Sequence, residues 1–368
     1  MKKLFVLLAA VAFVAAFTAP AFAAEWSFYG SARMTTFWVD EDFGDFLNAA
    51  GADDDLDLTH TLQGNSRIGA NVKVSDNLIG RFEYGTGVNV RLLYGEYNFG
   101  NFKMLVGQDY GPVNIFISNQ VCPISGGGDD DMLPYGGVYG GRNPMVAFKF
   151  GGFKLAFLTP KSQSSGYIDP VNLVTWSGAE TDVTLPKIEA SYGLKLGGVS
   201  LSLQGGYQTF DLVNFADREE SVDAYILALS AKYSAGPLYL AGNVYTGENL
   251  GNYGIGFGRK PLDTAGLYVD PTGSADVLDN DAFGFLLVAA FTANEMLRFE
   301  AGYGQAECEM DRSLDKDEIA AMYVQAQITF AAGVHITPEI GKIDYKDNMF
   351  KADEGSSTYY GLKWQINF

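Results

Sequence analysis

The sequence predicts an all-β fold, a transmembrane antiparallel β-barrel of about sixteen strands with one long loop folded into its lumen. Three observations carry this. From Glu25 onward the chain runs in alternating segments of roughly ten residues, the length a tilted strand needs to cross a bilayer core. Short turns and long polar connections alternate between those segments. Finally, the chain closes on STYYGLKWQINF, where Tyr360, Leu362, Trp364, Ile366 and Phe368 share one face and Gly361, Lys363, Gln365 and Asn367 the other. An aromatic strand at a free terminus leaves a sticky edge in water, but it is stable where lipid covers one face and the first strand pairs with the last.

The order begins with an address. Met1-Lys2-Lys3, the apolar run Leu4 to Phe17 and the small-x-small site Ala21-Phe22-Ala23 predict a secretory signal peptide over residues 1–23, with the barrel domain over 24–368. Its removal takes Lys2 and Lys3 with it and moves the formal net charge from −19 to −21. Such acidity argues against nucleic acid as a partner. No later apolar run reaches the length of a membrane helix; AFGFLLVAAFTA, Ala282 to Ala293, is too short. The 44 Gly, 26 Phe and 21 Tyr suit strands, turns and aromatic girdles, and a mean hydropathy near zero is expected where apolar and polar faces alternate.

The first strand is WSFYGSARMTTFW. The acidic loop after it holds eight acids from Asp40 to Asp57. Asp53, Asp55 and Asp57 copy the opening ligand spacing of an EF-hand, but Leu58 stands where its glycine belongs and Gly64 where its glutamate belongs, so no defined metal site is expected. A solvated rim beside lipopolysaccharide fits better. The next strand reads as continuous, with Leu62, Gly64, Ser66, Ile68, Ala70, Val72 and Val74 on one face and Gln63, Asn65, Arg67, Gly69, Asn71 and Lys73 on the other. Short turns are expected at 75–77, 85–87, 100–101, 151–152, 197–198, 235–237, 293–295 and 331–333. Long loops are expected near 40–60, 110–143, 160–185, 212–221, 248–281, 308–318 and 347–356.

Inward parity places Arg33, Arg67, Arg81 and Arg91 on the first four strands, where a lipid-facing arginine would cost about 2–4 kcal/mol. They form the expected basic side of a constriction. The loop Tyr110 to Pro144 carries Val113, Ile115, Phe116, Ile117, Met132 and Leu133, which only make sense if it folds inward against the wall. Asp129, Asp130 and Asp131 would then face the arginines, with Glu83 a further acid.

At this loop the sequence resembles a family. Asp131-Met132-Leu133-Pro134-Tyr135-Gly136-Gly137 is similar to the constriction-loop motif of the trimeric general diffusion porins. Asn65-Ser66-Arg67-Ile68-Gly69, Gly80-Arg81-Phe82-Glu83-Tyr84 and Val90-Arg91-Leu92-Leu93-Tyr94 resemble that family's arginine-bearing strands. The resemblance implies a water-filled outer-membrane channel for small hydrophilic solutes and ions, a homotrimer, Arg67, Arg81 and Arg91 as the basic side of the eyelet, and Asp131 as the acidic side. It also implies that Tyr360 to Phe368 are read by the outer-membrane assembly machinery. The glutamate expected between Pro134 and the aromatic is missing. Overall acidity suggests weak cation preference, which the arginine wall could reverse.

Cys122 and Cys308 are the only cysteines. Export to an oxidising compartment makes a disulfide between them an expectation, both being placed in loops on one side. No cofactor motif is legible. An enzyme is a rival class, but only His60 and His335 are available and no nucleophile converges on either. A solute-specific channel, and a structural or receptor barrel with a closed lumen, remain alternatives, and the long loop 248–281 has no assigned role.

Overall fold

The computed structural model describes residues 24–42, 56–122, 128–177, 180–215, 218–257, 263–269 and 275–368. The expected signal segment and most of the acidic first loop lie outside them. Eighteen strand segments form one antiparallel sheet. Two of its strands are interrupted, so there are sixteen. In chain order they are β1 (Glu25–Asp42), β2 (Leu56–Leu62 and Arg67–Lys73), β3 (Leu78–Gly85), β4 (Val90–Asn98), β5 (Lys103–Tyr110), β6 (Arg142–Phe150), β7 (Phe153–Leu158) and β8 (Glu180–Asp182 and Lys187–Leu196). Then come β9 (Val199–Phe215), β10 (Arg218–Ala235), β11 (Leu238–Glu248), β12 (Asn280–Thr292), β13 (Leu297–Met310), β14 (Asp317–Ala331), β15 (Val334–Asp344) and β16 (Ser356–Asn367).

The barrel closes because β1 pairs with β16 from Ser31↔Asn367 to Asp42↔Ser356. Gly30 and Phe368 exchange backbone hydrogen bonds below that seam, at 2.6 and 3.0 Å. Among the described residues the barrel sheet is left with no edge strand. The greasy parity of β16 faces outward, with Tyr360, Trp364, Ile366 and Phe368 exposed, while Lys363 is buried in the lumen. The apolar stretch Ala282 to Ala293 behaves the same way within β12, exposing Phe283, Leu287 and Phe291 and burying Ala282, Leu286, Val288 and Ala290.

The strand rhythm holds, with three corrections at its margins. The turn at 85–87 lies on the long-loop rim, since it joins an upward β3 to β4. The loop expected at 212–221 is mostly strand: β9 reaches Phe215 and β10 begins at Arg218. Likewise β13 runs to Met310, which puts Cys308 on a strand. In the last two stretches, acidic residues near the strand ends mimicked a loop.

The core is inside the barrel, not between layers. Val113, Ile115, Ile117, Val121, Met132 and Tyr135 of the loop between β5 and β6 bury themselves against Phe37, Ala228, Leu286, Ala321, Tyr323 and Tyr359 of the inner wall. Room for the loop comes from small inward residues. A side chain at Gly304 would meet the Tyr135 carbonyl, and one at Gly136 (φ 85°) would meet the carbonyls of Phe285 and Gln305. A second loop, between β11 and β12, turns through the short helix Leu250–Tyr253 and also packs inward through Leu250, Tyr253, Ile255 and Phe257. It meets the β7–β8 loop at Tyr167, Ala265 and Leu267, and the β15–β16 loop at Leu278 and Met349.

Candidate functional site

The β5–β6 loop crosses the lumen along a row of inward side chains, and its residues meet the wall strands in succession. Val113 N donates to Glu189 Oε2 on β8 at 3.0 Å, and the carbonyl of Asn114 accepts from Gln204 on β9 at 3.2 Å. The Phe116 carbonyl accepts from Lys232 on β10 at 2.7 Å and that of Ile117 from Tyr239 on β11 at 3.1 Å. Asn119 donates to both oxygens of Glu300 on β13, at 2.7 and 2.8 Å. Val121 N and Cys122 N donate to Glu339 on β15 at 2.7 and 2.9 Å. Three wall carboxylates thus hold loop amides that would otherwise be buried without acceptors.

At the far end, Asp129 Oδ2 pairs with Arg33 Nη1 on β1 at 2.7 Å, while Lys363 Nζ on β16 lies 3.0 Å from Oδ1. Asn65 donates to the same carboxylate at 3.0 Å, and Gln63 donates to its other oxygen. Burial pushes the Asp129 carboxyl up, but Lys363 and Arg33 outweigh it and leave it below the usual carboxylate range. Asp129 therefore joins Arg33 on one wall instead of facing it across the lumen. Asp130 is buried, with Tyr135 Oη 3.4 Å from its Oδ2. Burial, then the charge of Asp129, raises the carboxyl of Asp131 well above the usual range. Asp131 and Met132 both adopt left-handed backbone, at φ 52° and 57°, which turns the loop back toward β6.

Arg67, Arg81 and Arg91 gather around an acid. Glu83 is buried between Arg91 Nε at 2.7 Å, Arg81 Nη2 at 3.4 Å and Arg67 Nη1 at 3.6 Å, and takes a hydrogen bond from Tyr29 Oη at 2.8 Å. Glu83 belongs to the basic wall, where it fixes the guanidinium groups in place. Arg81 leans on the Tyr29 ring, 5.3 Å from its centroid, toward the short-turn rim. Arg33, Arg67 and Arg91 line one cavity of about 740 Å³ beside the inward-folded loop, and Arg81 does not.

Sequence reading missed further members of that lining. Arg142, Arg298 and Lys363 add cations to it, and Glu300 an acid beside Asp129, Asp130 and Asp131. Arg298 pairs with Glu300 at 2.9 Å. The signal that could have found them is inward parity: Arg298 and Glu300 precede Gly302, Gly304 and Ala306 on one face of β13. The strand-2 face also needs revision. Four residues, 63–66, stand opposite two of β1 between the pairs Met34↔Leu62 and Ser31↔Arg67. Ser66 leaves the outward face there, giving its hydroxyl to the Arg33 carbonyl at 3.2 Å and accepting the Arg33 amide at 3.0 Å. An even insertion keeps parity on both sides, so Ile68 still faces lipid.

No disulfide joins Cys122 and Cys308; both are buried thiols. Cys122 is pinned through its amide to Glu339, while Cys308 stands on β13 paired with Ala282 and Asp317. His60 and His335 each bond a neighbouring threonine hydroxyl, of Thr36 at 2.9 Å and Thr329 at 3.1 Å. Among the described residues no group of three or more His, Cys, Asp or Glu is placed to hold a metal ion.

A profile of the Gram-negative porins matches residues 9–348. No curated protein sequence matches significantly. Among solved structures, the outer membrane channel DcaP of Acinetobacter baumannii superposes with a TM-score of 0.66 at 17% identity, covering 94% of this chain and 97% of that one. OmpT of Vibrio cholerae in its trimer form gives 0.57 at 15% identity, over 94% and 100% of the two chains. An anion-selective porin from Comamonas acidovorans gives 0.58 at 14% identity, again over 94% and 100%.

Proposed function

The chain belongs to the Gram-negative porin family and is an outer-membrane channel for passive diffusion; from that premise we propose that small hydrophilic solutes and ions pass a cationic constriction that favours anions. The observation that carries this is the charge of the lining. Six cations, Arg33, Arg67, Arg91, Arg142, Arg298 and Lys363, share the 740 Å³ space with four acids, Asp129, Asp130, Asp131 and Glu300. Asp129 is paired with Arg33 and Lys363 and Glu300 with Arg298, and six cations against four acids leave a surplus of two positive charges in the lining. Wall charges act across such a gap because the Debye length is about 8 Å at physiological salt, whereas the acidic outer loops are screened from it.

Arg33, Arg67 and Arg91 form the basic side in this reading, and Asp130 and Asp131 what remains of an acidic side. The motif Met132-Leu133-Pro134-Tyr135-Gly136-Gly137 serves as the turn that returns the loop to β6. The protein is read as a channel and not an enzyme, on its membership of the porin family. A homotrimer is proposed on the likeness to OmpT in its trimer form. Lipid and lipopolysaccharide would contact the apolar belt and acidic rim, and Tyr360, Leu362, Trp364, Ile366 and Phe368 would present the C-terminal strand to the assembly machinery after removal of residues 1–23.

The test is single-channel recording of refolded protein in a planar bilayer under a KCl gradient. Stepwise openings, in threes for a trimer, with a reversal potential on the chloride side are expected. A cation-selective reversal potential would overturn the anion preference, and silence from folded, inserted protein would overturn the open channel.

A further inference from the structure

The lining of the constriction is not uniformly polar. Tyr110 at the end of β5, with Phe116 and Tyr139 of the loop that follows, form a group of three rings open to the same space as the arginines. Tyr110 and Phe116 lie 5.3 Å apart, centroid to centroid, in an edge-on arrangement. Tyr139 is 6.5 Å from Tyr110 and 6.1 Å from Phe116. Such spacings leave ring faces and edges for a further aromatic group to join.

Phe116 is the odd member of its segment. Ile115 and Ile117 are 2% and 3% exposed, but Phe116 between them is 39% exposed. The backbone enforces this: Asn114-Ile115 pairs with Val138-Tyr139, and the Phe116 carbonyl is taken by Lys232. A phenyl ring is thus held in the lumen, while its described neighbours Val113, Ile115, Ile117 and Val121 are turned to the wall. Beside it, the Arg142 guanidinium carbon sits 5.7 Å from the centre of the Tyr110 ring. Among the described residues no carboxylate pairs with Arg142, whereas Arg33, Arg67 and Arg91 all have one. A planar fork with open donors next to a ring cluster suits a solute carrying both a carboxylate and an aromatic ring.

We propose that the constriction contains a binding subsite for small aromatic carboxylates, the ring resting on Tyr110, Phe116 and Tyr139 and the carboxylate on Arg142. It rests on the open-channel reading above. A cationic aromatic would be repelled by the flanking Arg67 and Arg91, and a purely aliphatic anion would leave the ring cluster unused.

The wild-type channel in a planar bilayer tests this with four probes: benzoate, acetate (no ring), benzamide (no charge) and cyclohexanecarboxylate (charge and bulk without π-electrons). Benzoate should interrupt the current at a concentration about fivefold to tenfold below each of the others. Phe116→Leu and Arg142→Gln should each erase most of that difference. Should a variant fail to insert, the wild-type probe series still decides. Equal block by benzoate and cyclohexanecarboxylate overturns the proposal, as does stronger block by a neutral sugar such as maltose. A channel that conducts but ignores benzoate refutes the subsite alone; one that never conducts refutes the open channel, and the subsite with it.

Discussion

Asp129 Oδ2 lies 2.7 Å from Arg33 Nη1, and its other oxygen lies 3.0 Å from Lys363 Nζ, so one loop carboxylate is held by both the first and the last strand at the seam where they pair. It joins the seam to the constriction loop, and its single negative charge offsets one of the two positive charges beside it.

Asp129→Asn should therefore push selectivity further toward anions. A unit charge about 7 Å from a permeating ion in water is worth about 0.6 kcal/mol, or about threefold in a permeability ratio. The reversal potential in a KCl gradient should move toward the chloride value by that amount. No shift would show that Arg33 and Lys363 do not sense the permeating ion.

Glu339 is the firmest anchor of the same loop, since it accepts two consecutive backbone amides, of Val121 and Cys122, at a buried site. Glu339→Ala orphans both at about 1–3 kcal/mol. Glu339→Gln keeps an acceptor and should cost less. The expected outcome is noisier open-channel current and a lower unfolding temperature in detergent, graded Ala below Gln below wild type. Equal stability of all three would remove Glu339 from any positioning role.

How far the sequence spoke depended on range. Period-two alternation is local and lipid enforces it, so strand count, outward Trp364 and inward Arg67 were legible. Partners across the lumen were not. Nothing local tells that Arg298 and Lys363 reach the cavity of Arg33, because those contacts join strands that are distant in sequence. The four-residue interruption at 63–66 was invisible because an even insertion leaves the pattern intact. Loops were overread where acids concentrate at strand ends, as at 212–221.

The two cysteines give a chemical test. Both thiols are buried and no disulfide joins them. A maleimide added to the folded protein without reductant should label neither, and added after unfolding, again without reductant, should label both. Labelling that appears only after reduction would restore the disulfide that export to an oxidising compartment suggested.

Acid should tighten the inward-packed β11–β12 loop. Asp263, outside the spanning strands, accepts the Phe257 amide on Oδ2 at 3.1 Å and the Gly251 amide on its carbonyl at 2.7 Å. Burial pushes its carboxyl up to about 6 from an ordinary 3.8. A raised acid favours the protonated form in the packed loop, so packing is fully favoured below the ordinary value and weakens as pH rises through about 6. Between about pH 7.5 and about pH 5 the packed state should gain about tenfold. Hydrogen exchange over Gly251 to Phe257, corrected for the intrinsic pH dependence of exchange, should show that gain. Asp263→Asn, which cannot ionise, should flatten it. A wild-type profile as flat as the variant's would mean that the loop holds its place without regard to the charge on Asp263.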